Sequence, residues 1–153
     1  MRGFDINCAI GHFPFRRLPF GTLSELAQMH DAIGIRGGAV SNINSACYRD
    51  AHEGNRELDA ALREFGSPDY VGNGAVNPVY PDWERDLEEC VERFDFRAVR
   101  LLPRYHGYDW AEPALERFFA MAAAAGLPVM VPCRLEDCRH RALLDVTTEM
   151  TLA

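Results

Sequence analysis

The chain is expected to fold as an α/β protein, a parallel repeat of strand and helix, and three features of its 153 residues point there. Short apolar runs begin near residues 4, 37, 70, 97 and 128, about 30 residues apart, the length of one strand-helix unit. Amphipathic stretches with helical spacing separate them, an alternation that implies parallel strands covered by helices. The segments after the strands are long and polar, whereas those after the helices shrink to a few residues, often one glycine. That asymmetry places any site at the C-terminal ends of the strands.

The elements follow in order. FDINCAI at 4–10 is a strand, and TLSELAQMHDAIG at 22–34 is a helix with a capping box from Thr22 and Glu25. Leu23, Leu26, His30 and Ile33 share one face of it, Gly34 ends it, and His30 reads as a packed histidine rather than a ligand. GGAVSNI at 37–43 is the second strand; after the loop NSACYRDAHEG, Asn55 caps a helix presenting Leu58, Ala61, Leu62 and Phe65. YVGNGAVN at 70–77 is the third strand, and Asp82 caps a helix with Trp83, Leu87, Cys90, Val91 and Phe94 on one side. RAVRLL at 97–102 follows. After the loop PRYHGYDW, Pro113 starts a helix with Leu115, Phe118, Phe119 and Ala122 inward, and PVMVPC at 128–133 is the fifth strand.

Composition narrows the partners. The net charge is −7, with sixteen scattered arginines and no lysine, which argues against nucleic acid or an anionic membrane as partner. No apolar run approaches the roughly 20 residues of a membrane span. The five cysteines at 8, 47, 90, 133 and 138 form no CxxC pattern, and no export signal precedes them, so a cytoplasmic setting with buried, inert thiols is expected. No GxGxxG follows a strand and no Walker loop is present, which weakens a dinucleotide fold or an open sheet complete in itself.

FDINCAIG, GNREL at 54–58, NPVYPDW at 77–83, VRLLPRYHGYDW at 99–110 and GLPVMVPC at 126–133 together resemble the amidohydrolase-related (amidohydrolase family 2) TIM-barrel proteins, a branch of the metal-dependent hydrolases and decarboxylases. The resemblance implies an eight-stranded barrel with a divalent metal, commonly zinc, at its C-terminal mouth. It also implies that this single domain, 1–153, is a partial barrel of about five units, truncated at its C-terminus. The family's first-strand His-x-His pair falls on Asn7 and Ala9, and its strand-five histidine on Pro132, so the residues at these positions argue against a bound metal. The expected activity of the intact parent is that of a hydrolase or decarboxylase acting on a small, anionic, carbonyl-containing substrate. This chain alone is expected to be inactive, and to dimerise, bind a complementary barrel fragment or be marginally stable by itself. The competing reading is a non-catalytic remnant or binding module on the same scaffold.

The candidate site residues stand at the predicted mouth. Asn7 either hydrogen-bonds a substrate where a metal would sit or only ties loops together, and Asp5 either supports it or is satisfied by nearby backbone donors. His12 and Arg16 in the first loop, with Arg17, suit an anionic substrate, or they are a solvated surface. Arg100 interrupts an apolar strand, and a buried arginine must be paired or face a polar cavity. Arg104 and Tyr105 are substrate-contact candidates, and His106 is the candidate for proton transfer. Cys133 at the end of strand five is either nucleophilic beside a base or an inert buried thiol, the second being favoured. Asn44, Tyr48 and His52 face the same side without an assigned role, and nothing in the spacing of His12, His106 and His140 supports a metal cluster.

Overall fold

The structure is a computed structural model that describes residues 3–14 and 17–132. Its strands are β1 (Gly3–Ile10), β2 (Ile35–Asn42), β3 (Tyr70–Ala75), β4 (Ala98–Arg100) and β5 (Val129–Met130), all parallel in the order 1-2-3-4-5. Between them run α1 (Leu23–Ala32), α2 (Ala51–Phe65), α3 (Trp83–Glu92), a single-turn α4 (Pro103–His106) and α5 (Ala114–Ala124). Consecutive strands pair with their sequence neighbours, the topology of a β/α barrel; the sheet curls into a half-barrel. Among the described residues, no helix is long and apolar enough to cross a membrane.

Local chemistry accounts for the helix limits. Thr22 and Glu25 form the reciprocal capping box, and Gly34 turns the chain at φ +77°. α2 starts earlier than the sequence suggests: Asp50 is its cap, accepting from the His52 N–H at 2.9 Å, and Asn55 sits buried one turn inside. Asp82 precedes α3 in a left-handed conformation without a side-chain cap bond. Ile33 and Phe119, expected on inward faces, are 62% and 42% exposed. Ile33 lies beyond the last helical residue, where the chain leaves the helical path. The loop after β4 contains α4, a turn begun by Pro103, whose fixed φ suits a first helical position.

Side-chain parity sorts the sheet into two faces. Val40, Tyr70 and Val99 face outward, where α1 to α3 and α5 cover them with Leu26, Leu58, Leu87 and Phe118, all fully buried. Each such side chain contributes about 1.5–3 kcal/mol through removal from water. Gly72 permits the close approach of this layer, since an added Cβ would stand 2.1 Å from the Phe96 ring. The alternate residues Ala9, Ser41, Asn73, Ala75, Arg100 and Met130 form the inner wall, as the pairs Ala9↔Ser41 and Ala75↔Arg100↔Met130 require.

Candidate active site

Curling of the sheet is what creates the site. β1 and β4 are three strands apart, about 14 Å across a flat sheet, yet Arg100 Nη2 donates to Asn7 Oδ1 at 2.5 Å. The two residues that the sequence singles out on separate strands thus meet inside the curl. Asn7 is held from below, where its backbone N–H donates to Asp5 Oδ1 at 2.9 Å.

Arg100 is 5% exposed, and no carboxylate of the described residues lies within ion-pair distance of it. Its Nε has no hydrogen-bond partner. Burial pulls the guanidinium below the ordinary arginine pKa, and the Cys8 thiol opposes this. Two more polar residues share the wall without full partners: Ser41 Oγ has none, and Asn73 Oδ1 has none while its Nδ2 reaches Met130 Sδ at 2.8 Å. Sequence reasoning did not select Ser41 or Asn73. The signal was available, because each is a polar residue inside an apolar strand, as Arg100 is.

At the rim, Tyr105 packs against Ala46, Ala75 and Leu102, next to the Ala75↔Arg100 pair. His106 lies on the same turn, with Nε2 3.0 Å from the Ser45 carbonyl. A carbonyl only accepts, so Nε2 carries the proton and Nδ1, buried and unpartnered, keeps its lone pair. Burial lowers the His106 pKa, which favours the neutral ring. Arg104 is exposed on that turn.

The remaining candidates separate from this cluster. His12 is exposed and lines cavities with Gly11, Gly21 and Thr22, its N–H donating to Asn44 Oδ1 at 2.8 Å. Asn7 and Arg100 line a different one, with Phe13 and Leu18. Asn44 and Tyr48 converge on Glu57, their Nδ2 and hydroxyl donating to its carboxylate at 2.9 and 2.8 Å. His52, expected on the loop side, is 1% exposed between α2 and α3, with Nε2 3.2 Å from Glu89 Oε2. Of the cysteines, Cys8 and Cys90 are buried as expected, but Cys47 is exposed. Arg16, Cys133 and His140 lie outside the described residues.

A curled run of parallel β/α units with polar residues at the C-terminal mouth defines the class: part of a β/α barrel. A family model for amidohydrolases matches residues 24–147, and the chain belongs to that family. Among solved structures, the chain is similar to 2,6-dihydroxybenzoate decarboxylase from Rhizobium, with a TM-score of 0.66 at 17% identity over 92% of this chain and 53% of that one. It is also similar to an amidohydrolase candidate from Staphylococcus aureus, with a TM-score of 0.71 at 15% identity over 91% of this chain and 50% of the other. The third is 5-carboxyvanillate decarboxylase from Novosphingobium aromaticivorans, with bound manganese, at a TM-score of 0.56 and 21% identity over 71% and 33%. The chain thus spans about half the length of the first of these, or less. Among curated proteins there is no significant sequence match.

Proposed function

We propose that the protein is an amidohydrolase-type enzyme acting on a small, anionic, carbonyl-containing substrate whose carboxylate is held by Arg100 and Asn7. The observation that carries this reading is a buried guanidinium whose partner is a neutral amide and whose Nε is unmet. A buried cation without a counter-charge is costly, and an incoming carboxylate supplies both the charge and the acceptor that Nε lacks. His106 stands at the rim as a neutral base, its free Nδ1 lone pair suited to accept a proton from water or a substrate hydroxyl. Tyr105 walls the same side. Kinship of fold with two decarboxylases of hydroxybenzoate-type acids supports an aromatic carboxylate as the first class to try.

The metal common in this family does not fit these residues. One first-strand position presents an amide oxygen already engaged by a guanidinium, and the other, Ala9, presents a methyl group. A dication placed there would face the Arg100 charge without a carboxylate or imidazole ligand.

Calorimetric titration with benzoate and 2,6-dihydroxybenzoate tests the reading. Wild type should bind, and Arg100→Met should lose about tenfold or more in affinity, the scale of a charge-assisted pair. Equal affinity in the two proteins would sink the proposal. Turnover of carboxylate and ester panels, abolished in His106→Gln, would separate an enzyme from a binding module.

A further inference from the structure

One group of histidine, cysteine and carboxylate donors comes together among the described residues, on the other side of β1 from Asn7: Asp5, Cys8 and His30, with ligand atoms all within 4.8 Å of one another. We infer that these three residues form a binding site for a divalent cation of the zinc class, the carboxylate, thiolate and imidazole supplying three ligands and water a fourth. The inference goes beyond the carboxylate-binding reading and does not depend on it.

The backbone is built to bring them together. Asp5 and Cys8 are three positions apart and would point to opposite faces of a regular strand. Between Asp5↔Gly38 and Cys8↔Val40, however, three residues of β1 span two of β2, and this bulge turns both side chains toward α1. Gly38 leaves room for the thiol, since an added Cβ would stand 2.6 Å from Cys8 Sγ.

His30 supplies the second observation. It is fully buried and stacked on Tyr70, with Nδ1 3.0 Å from the Tyr70 hydroxyl. Its Nε2 has no hydrogen-bond partner and is aimed at Asp5 Oδ2, 3.5 Å away. A ligating histidine is anchored in this way, through its second nitrogen, with the first left bare for the metal. If Nδ1 donates to the Tyr70 oxygen, the Nε2 lone pair faces a carboxylate, and a cation between them would relieve that opposition. A dication would match the charges of one carboxylate and one thiolate.

Size and access agree. Tetrahedral zinc with bonds of about 2.0 to 2.3 Å sets its ligands about 3.3 to 3.5 Å apart, so the observed spacing needs closure by about an ångström. Asp5, whose side chain is 32% exposed on an edge strand, is the ligand able to move. Asp5 and Cys8 also border the cavity of about 370 Å³ that Asn7, Arg100, Phe13 and Leu18 line, so two of the three ligands face open space. In the metal-free protein the Cys8 thiol holds its proton, pushed up to about 12 by burial and by the Asp5 carboxylate, and metal binding must displace it. The simpler occupant of the gap is a proton on Nε2, giving a plain His30–Asp5 ion pair.

Cobalt(II) titration of the full chain distinguishes the two. A bound cation predicts tetrahedral visible bands with a thiolate charge-transfer band, saturating at about one equivalent and displaced by zinc. Cys8→Ser should abolish the charge-transfer band, and Asp5→Asn, at a surface-accessible carboxylate, should weaken cobalt binding by about tenfold or more while the circular dichroism stays native. Cys47→Ser and the double change Cys133→Ser with Cys138→Ser should leave the spectrum unchanged. No saturable band in wild type overturns the site. A band that survives Cys8→Ser, or disappears with the other cysteines, overturns it equally. Should Cys8→Ser fail to fold, unaltered cobalt affinity in Asp5→Asn would still count against it.

Discussion

Two buried asparagines on neighbouring elements behave in opposite ways. Asn55, under α2 on the helix-facing side, donates to the Ala75 carbonyl and accepts from the Ala75 N–H, both at 2.8 Å, fastening helix to strand. Asn73, on the inner wall of that same strand, leaves its Oδ1 unmet and offers its amide only to a methionine sulfur. The difference extends beyond the pair. On the covered face, apolar clusters and bonded polar groups such as Asn55 hold the fold, with His30 Nε2 an unpartnered exception, whereas the inner wall brings Arg100 Nε, Asn73 Oδ1 and Ser41 Oγ together without partners. Unmet buried polar atoms lower stability, so three of them together on the inner wall mark a place where the molecule keeps binding capacity.

If this contrast is right, the largest loss comes from the covered face. Phe118→Ala should cost about 3–5 kcal/mol in urea denaturation, because a fully buried ring between α3 and α5 leaves a cavity. Next comes the asparagine pair. Asn55→Leu should cost about 2–4 kcal/mol by stranding two buried backbone groups, while Asn73→Val should stay within about 1 kcal/mol of wild type. Equal losses at the two positions would remove the distinction between the faces. Arg100→Met should leave stability unchanged or raise it by up to about 2 kcal/mol, since it removes a buried charge lacking a counter-ion. A large destabilisation would instead make Arg100 a structural residue.

The smallest effect is a slope. Burial holds the His106 pKa below that of the unfolded chain, so the unfolded state takes up a proton first as the pH drops. The stability tied to this ring is complete above about pH 6.5 and is lost as the pH falls toward the depressed folded value. Urea midpoints at about pH 7.5 and about pH 5.5 should therefore differ less in His106→Gln than in wild type.

Much of the architecture was legible locally. The capping box at Thr22 and Glu25, the glycine after each of α1 and α2, and the recurrence of apolar runs located the repeat, because helix starts and strand periods depend on near neighbours. Limits were missed where a tertiary contact took a residue for another use. Asn55 looked like a cap but is the bridge to Ala75, and Asp50 caps the helix instead. Of the candidate site residues, Arg100 stood out because a charge in a buried strand demands a partner. Asn73 and Ser41 carried the same signal more weakly, and His52 looked like a loop residue until its helix was seen to begin at Ala51.

By itself, the sequence determined the α/β repeat and the resemblance to the family, because both are written in local patterns. Only the tertiary structure decided which polar residues meet. The curl brings Asn7 within reach of Arg100 across three strands, and the bulge in β1 turns Asp5 and Cys8 toward His30. The physical reason is one of range. Hydrophobic period and capping are written within a few residues, whereas sheet curvature and the parity of a bulged strand are set by hydrogen-bond register with another strand, about 30 residues away in the chain.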